Sequence, residues 1–360
     1  MQFSNCIAVK GYIRAALYDL QRTRYLLVDN SFADLLFTYE NKIPIDKLNI
    51  DGKNCINELI EDDWGIVATE SIIHLFPKLS LKWKHYSEIT NAQIDFDNYE
   101  ADFDYFFSDI LPQFESFSCK ALQVNFLKPI DYKTLCKFLE RFNDTQIHIL
   151  VIFLPYVLIS AQDNSALHAL QPRLNFLFYY SCPPDLNNSG KNEKSFYSVN
   201  DISIRNSNII STDYFTTNIT FFSESQEFNT YYNRKICIDA KGNIKNTPEQ
   251  DDYYGNIKNI RLDEVINIDT FKSFWNVHKD MIDVCKDCEY RHMCVDSCSL
   301  SKRKDNTWYR VKECNYNPYI AKWSNEDGYK KLAKCGVDVS AEGFMIDKEK
   351  LAFVNEELWG

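Results

Sequence analysis

At 360 residues, with 45% hydrophobic and 25% charged residues, the chain is long enough for two or three domains and apolar enough to bury a substantial core. Its formal charge of −11 leaves no basic stripe to displace counterions from a phosphate backbone, so no nucleic-acid ligand is expected. The longest apolar run, HILVIFLPYVLI, is too short to cross a bilayer, and MQFSNCIAVKG has neither a basic leader nor a cleavage site, so no membrane role and a reducing cytoplasm are expected.

Residues 1–88 open with IAVKGYIRAALYDLQ and TRYLLVDN, which read as two strands with a turn near Thr23 and Arg24. Asn30 and Ser31 offer an N-cap for a helix, SFADLLFTYENK, with Phe32, Leu35 and Leu36 on one face. A second helix is expected over NCINELIEDDWG, ended by Gly65. Two strands followed by helices describe either a small winged-helix-like module or a plain N-terminal cap. Such modules can recognise a peptide by adding it as a strand to a sheet edge. WGIVATE and HLFPKLSLKW read as connecting segments.

Residues 89–230 alternate between strand and helix. ITNAQIDFD, KALQVNFL and QIHILVIFL read as strands, the last apolar throughout as in a parallel sheet, and LNFLFYYSC repeats the rhythm after SALHALQPR. EADFDYFFSDILPQFESF has helical spacing, with Pro112 expected to kink or end it. DYKTLCKFLERF is an amphipathic helix with an Asp cap and Leu135, Phe138 and Leu139 inward. This rhythm predicts a parallel sheet or partial barrel, whose active sites sit at strand C-terminal ends. There the sequence places Asp95, Asp97, Asn125, Pro155 and Tyr156, with no glycine-rich phosphate loop, HExxH or G-x-S-x-G motif anywhere in the chain. Asp95 and Asp97 read as turn-capping acids rather than a catalytic pair. His148 and His168 read as core or surface histidines. PPDLNNSGKNEKSFYSVN reads as a surface loop or lid.

In residues 231–360, NRKICIDAKGNIKN reads as a hairpin turning at Ala240–Gly242, and TFKSFWNVHKD as a helix delivering the chain to a cysteine array. A polar helix is expected near NEDGYKKLAK, a stop at Cys335–Gly336, and an amphipathic helix over DKEKLAFVNEELWG. The array is the strongest signal in the chain. Cys285, Cys288, Cys294 and Cys298 form C-x2-C-x5-C-x3-C, and Cys314 follows, five of twelve cysteines in one window. Thiolates two residues apart can bend round one soft metal, and further cysteines close the shell. Buried thiols or a disulfide cluster are the plainer alternatives, which a reducing compartment disfavours. Cys6, Cys55, Cys119, Cys136 and Cys182 read as ordinary core thiols.

The array and NRKICIDAKGNIKN resemble the SPASM domain that follows the radical-SAM barrel in peptide-modifying enzymes. With FSNCIAVKGYIRAALYDLQRTRYLLVDN, LFPKLSLKW and ECNYNPYIAKW, nearly the whole chain resembles the SPASM-domain peptide maturases of grasp-with-SPASM systems. The resemblance implies an α/β chain of three parts. These are an N-terminal winged-helix-like leader-peptide recognition module (1–88), a degenerate radical-SAM-like partial (β/α) barrel (89–230) and a C-terminal cysteine-rich SPASM domain (231–360).

It further implies one [4Fe–4S] cluster on Cys285, Cys288, Cys294 and Cys314, with Zn²⁺ as the alternative, and a precursor peptide and an ATP-grasp ligase as partners. A second cluster site is expected to be degenerate. Thr247 stands where a thiolate is expected and Gly255 is followed by no cysteine until Cys285, so Cys237 and Cys298 read as neutral packed thiols. The C-x3-C-x2-C triplet of radical-SAM enzymes is missing from the sequence, so no S-adenosylmethionine chemistry is expected. Two functions follow: a peptide maturase acting on or presenting a ribosomal precursor, or a non-catalytic precursor-binding scaffold with a structural metal site. No catalytic residue is assigned.

Overall fold

A computed structural model describes residues 3–40, 42–97, 99–157, 159, 161–186, 194–202 and 210–360. The chain divides into two compact units. Met1–Trp83, Asn208–Thr230 and Asn276–Gly360 form the first; Lys84–Ser207 and Tyr231–Trp275 form the second. The N-terminal strands thus share a unit with the cysteine array, while the hairpin around Cys237 lies in the other.

The first unit begins with three antiparallel strands, β1 (Cys6–Lys10), β2 (Arg14–Asp19) and β3 (Arg24–Asp29), in the order β1-β2-β3. The run expected as one strand is two, because the chain turns at Gly11. A Cβ there would lie 2.8 Å from the Arg14 carbonyl and from the Glu289 amide, so only glycine fits. The turn before β3 lies where expected, with Thr23 in the left-handed region at φ 54. Helix α1 (Asn30–Thr38) is shorter than its pattern suggests, and Asn30 does not cap it; its amide donates to the Gly11 and Tyr12 carbonyls. Helix α2 (Ile50–Glu61) starts four residues earlier than expected, because Asn49 caps it by accepting from the Gly52 amide. A short α3 (Glu70–Ile73) follows.

The sheet is buried on both faces. Cys6, Ala8, Ala15 and Leu17 pack with Ala33, Leu36 and Trp64 on one side. Val9, Ala16, Tyr18 and Leu20 pack with Phe222, Tyr290, Met293 and Tyr316 on the other.

The second unit is a mixed α/β body. Its strands β4 (Asn91–Phe96), β5 (Ala121–Phe126), β6 (Ile149–Pro155), β7 (Leu174–Tyr180) and β8 (Ser195–Tyr197) alternate with helices. These are α4 (Tyr99–Tyr105), α5 (Leu111–Ser116), α6 (Tyr132–Glu140) and α7 (Ala161–Leu170). After α8 (Ile219–Ser225), which belongs to the first unit, β9 (Lys235–Ile238) and β10 (Ile244–Lys245) complete a seven-stranded sheet. Its order is β10-β9-β4-β5-β6-β7-β8, parallel except for the β9–β10 hairpin.

Pro112 does not end its helix. A π turn over Phe106–Ile110 precedes it and absorbs the lost amide, and helix resumes to Ser116. Strand β6 is apolar throughout, yet only Leu150, Ile152 and Leu154 are fully buried, while Ile149 is 45% exposed. Residues 195–197, expected in a loop, form edge strand β8; much of that expected loop lies outside the described residues. Asp131 caps α6 through the Thr134 amide, and Leu135, Phe138 and Leu139 are buried as their spacing predicts.

A short α9 (Leu262–Ile266) follows in the second unit. TFKSFWNVHKD holds only single turns of 3-10 helix at Asp269–Lys272 and Lys279–Met281, not the expected α-helix. The chain then makes three small hairpins, β11 (Leu300–Lys302) with β12 (Trp308–Arg310), β13 (Tyr316–Asn317) with β14 (Lys322–Trp323), and β15 (Val337–Val339) with β16 (Phe344–Ile346). No α-helix forms near NEDGYKKLAK; one 3-10 turn, Leu332–Cys335, stops at Gly336 in the left-handed conformation. The expected C-terminal helix is α10 (Lys348–Trp359), capped by Asp347.

The second unit depends on a cluster of phenylalanines. Phe138 is 1% exposed and its ring meets those of Phe96, Phe103, Phe106, Phe107, Phe126 and Phe142. Phe138→Ala should therefore cost about 3–5 kcal/mol, read as a lowered midpoint in urea unfolding; a loss below about 1 kcal/mol would mean that the cluster relaxes around the gap.

Candidate metal centre and peptide groove

Cys285, Cys288, Cys294 and Cys314 line one small cavity of about 40 Å³, together with Lys279, Arg291, Asp296 and Arg310. The backbone folds them together through tight turns. Val284, at φ 70 and ψ −49, throws the chain into a 3-10 turn beginning at Cys285. A β-branched residue in the left-handed half of backbone space stores about 1–3 kcal/mol of strain. The Cys288 amide then donates to the Cys285 carbonyl at 3.0 Å, and the Cys294 amide to Tyr290 at 3.0 Å. The Tyr316 amide donates to Cys314 Sγ at 3.4 Å. Among the described residues, no three His, Cys, Asp or Glu side chains close on one point as a single metal ion requires.

Burial pushes the Cys285 thiol up to about 11 and the Cys294 thiol up to about 12, and raises Cys288 well above its ordinary value. The surrounding charges do not cancel. Asp296 lies 3.4 Å from Lys279 Nζ and 3.1 Å from Arg310 Nε, and all three side chains are at most 8% exposed. Burial would raise the Asp296 carboxyl, but Arg310 and Lys279 hold it down at about 2. Burial would likewise discharge Lys279, but the neighbouring Cys294, Asp296 and Cys285 raise it, and with those thiols protonated Asp296 is the one anion among them. Two cations face one carboxylate, so one positive charge in the wall has only thiols nearby. The Arg310 Nε–H is close to Asp296 but not aligned on it and makes no hydrogen bond among the described residues.

The loop between these cysteines also carries the N-terminal sheet. Tyr18 donates its hydroxyl to the Glu289 carbonyl at 2.6 Å, and the Tyr12 amide donates to Asp287 at 2.7 Å. Arg291 donates back to the Lys10 carbonyl at 2.6 Å. Glu289, whose side chain is 1% exposed, accepts at one oxygen from Arg14 Nε at 2.7 Å and from the Tyr316 hydroxyl at 2.5 Å. Its other oxygen is buried with no hydrogen-bond partner among the described residues. Burial would lower the Arg14 guanidinium, but Tyr316 and Glu289 raise it.

On the far edge of that sheet lies a groove of about 550 Å³. Leu26, Leu27, Val28 and Asp29 all border it, and four consecutive strand residues can do so only along an edge, because side chains alternate between faces. Among the described residues β3 pairs only with β2. The opposite wall is α2, which presents Cys55, Glu58 and Leu59 on one face at helical spacing, with Asp62 at its C-terminal cap.

Cys298 is buried and donates its thiol to the Ser299 and Lys312 carbonyls, and Cys237 is buried with its thiol directed at the Asn246 carbonyl. Cys6, Cys119 and Cys182 are buried, whereas Cys55 and Cys136 are half-buried, and Cys55 borders the groove. Asp95 accepts from Asn125 at 2.6 Å, while Asp97 pairs with Lys128 on the surface, so the two acids serve separate contacts. His168 bridges the Leu174 carbonyl and Ser195 within the second unit. Sequence reasoning missed Lys279, Glu289, Asp296 and Arg310. Their only signal was position, beside or between cysteines, where a charged loop residue ordinarily faces solvent.

No protein-family model and no curated protein matches the chain. No described helix is long and apolar enough to cross a membrane.

Glu289 ties the cavity loop to β2, so Glu289→Ala should cost about 3–5 kcal/mol by leaving Arg14 and Tyr316 unpaired in the interior. Urea unfolding of Glu289→Ala, Arg14→Met and the double variant measures it; strictly additive losses would deny the coupling.

Proposed function

We propose that the protein is a SPASM-like maturation protein of the reducing cytoplasm. It binds a ribosomally made precursor peptide as an added strand on β3, carries a [4Fe–4S] cluster on Cys285, Cys288, Cys294 and Cys314, and presents the peptide to an ATP-grasp ligase. The observation that carries this reading is the meeting of four thiols on one cavity whose wall has a surplus buried cation.

The residues fit such a group. Four thiolates and their metal are negative overall, which answers the uncompensated charge of Lys279 and Arg310. The Arg310 Nε–H and the Tyr316 amide are donors of the kind that stabilise cluster sulfurs. Among the described residues no three such side chains close on one point as a single ion requires, which favours a cluster over zinc. With all four positions taken by protein, the group would act as a closed, structural centre. Three of its four protein ligands lie on the loop that holds Tyr18 and Arg14, so it would brace the peptide-binding sheet. The unpaired edge of β3 and the facing helix α2 support the peptide half of the reading.

Anaerobic purification with metal and sulfide analysis tests the centre. Iron and sulfide in matching amounts, with broad absorption near ~400 nm, are expected. Zinc in a colourless protein would replace the cluster with the single-ion variant, and neither metal would overturn the centre. The presenting role is read by mass spectrometry of the precursor. A mass change that needs the ligase and is accelerated by this protein is expected; a change without the ligase would assign the chemistry to this chain.

Removing the N-terminal segment is a poor test of peptide binding, because that segment is packed on the cysteine loop. Cys55→Trp, which fills the groove, should instead weaken precursor binding at least tenfold, about 1.4 kcal/mol, with an unchanged unfolding midpoint. Undiminished affinity would remove the groove from the function.

A further inference from the structure

The groove beside β3 carries charge as well as shape. Arg14, Asp29, Glu58 and Asp62 border it. Arg14 is spent on buried Glu289, 2.7 Å away, and Asp62 lies 3.4 Å from Arg24. Asp29 and Glu58 are exposed and have no ion pair among the described residues. They stand on opposite walls, one at the end of β3 and one on α2, and both act on Cys55 between them. Its thiol is raised by burial first and then by Glu58 and Asp29. Leu26, Leu27, Val28, Phe32 and Leu59 supply the apolar part of the lining.

We propose that the segment docking in this groove is an extended peptide with alternating character, apolar side chains against Leu59 and Phe32 and a lysine or arginine between Asp29 and Glu58. This rests on the strand-addition reading above and goes further by naming the charge of the partner. An added strand points successive side chains to opposite faces of the sheet, so only every second one can face the groove lining. A basic residue at that register meets two carboxylates that no protein cation neutralises, whereas an acidic one is repelled by both. Each such pair is partly exposed and modest, so the preference is a matter of about tenfold in affinity and declines with salt.

The test pans a phage-displayed library of random dodecapeptides on the full chain and on the double variant Asp29→Lys/Glu58→Lys, with Cys55→Trp as the groove-blocked reference. The net charge of −11 would attract any basic peptide weakly, so the variants carry the decision. The expected result is a wild-type pool of alternating peptides rich in Lys and Arg. Its best member should lose about tenfold in affinity when the basic residue becomes Glu, and the double variant should select acidic peptides instead. A wild-type pool that binds in the groove, as shown by its loss in Cys55→Trp, yet has no basic bias overturns the inference and leaves strand addition standing. A basic bias unchanged in the double variant also overturns it, since the attraction then lies elsewhere. If no pool depends on Cys55→Trp, the groove is not the docking site and both readings fall.

Discussion

The first unit depends on one loop doing two jobs. Residues 285–294 carry three of the four cavity cysteines, and between them lie Asp287, Glu289 and Arg291, which hold the N-terminal sheet by backbone and side-chain hydrogen bonds. Glu289 is the hinge of this arrangement. Its carbonyl receives Tyr18, its carboxylate receives Arg14 and Tyr316, and its amide stands so close to Gly11 that the turn between β1 and β2 admits no side chain. A buried carboxylate is costly unless its lone pairs are filled, and here one oxygen is filled and the other is not. The arrangement is therefore held by the packing of Tyr18, Tyr290, Met293 and Tyr316 around it as much as by the ion pair itself.

The sequence was most legible where local chemistry decides the outcome. The Asp131 cap, the inward stripe Leu135, Phe138 and Leu139, the turn at Thr23, the hairpin at Gly242 and the stop at Gly336 all follow from side chains acting within a few residues. It was least legible where tertiary burial erased the pattern. Strand β2 is buried on both faces, so its residues show no alternation and the turn at Gly11 is hidden within one long strand-like stretch. Pro112 reads as a breaker, but a π turn upstream makes room for it. Between Ile266 and Lys348 the chain forms short 3-10 turns and small hairpins, because it is shaped there by tight turns rather than by periodicity.

The candidate site divides in the same way. Cysteine spacing marks Cys285, Cys288, Cys294 and Cys314, and the fold brings them onto one cavity. Spacing could not mark Lys279, Asp296 or Arg310, whose meaning comes from burial. In solvent they would be unremarkable charges. Enclosed at 8% exposure or less, they leave a net positive wall that demands an anion. The groove was equally hidden. Cys55 reads as a core thiol from sequence, and only the position of α2 against the edge of β3 shows that it faces open space.

These features make thiol deprotonation and sheet stability parts of one balance. Burial holds the thiols of Cys285, Cys288 and Cys294 protonated, so a metal centre on them must displace protons, and its affinity rises with pH. The strain at Val284 and the surplus charge of Lys279 and Arg310 are carried by the protein whether or not that centre is loaded. A negative group in the cavity would offset that charge. A group that binds the folded loop and not the unfolded chain stabilises everything the loop holds. Through Glu289 that includes β2, and through β2 the edge of β3 on which a peptide would pair. Linkage is reciprocal, so a peptide that stiffened β3 would tighten the hold on such a group by the same free energy.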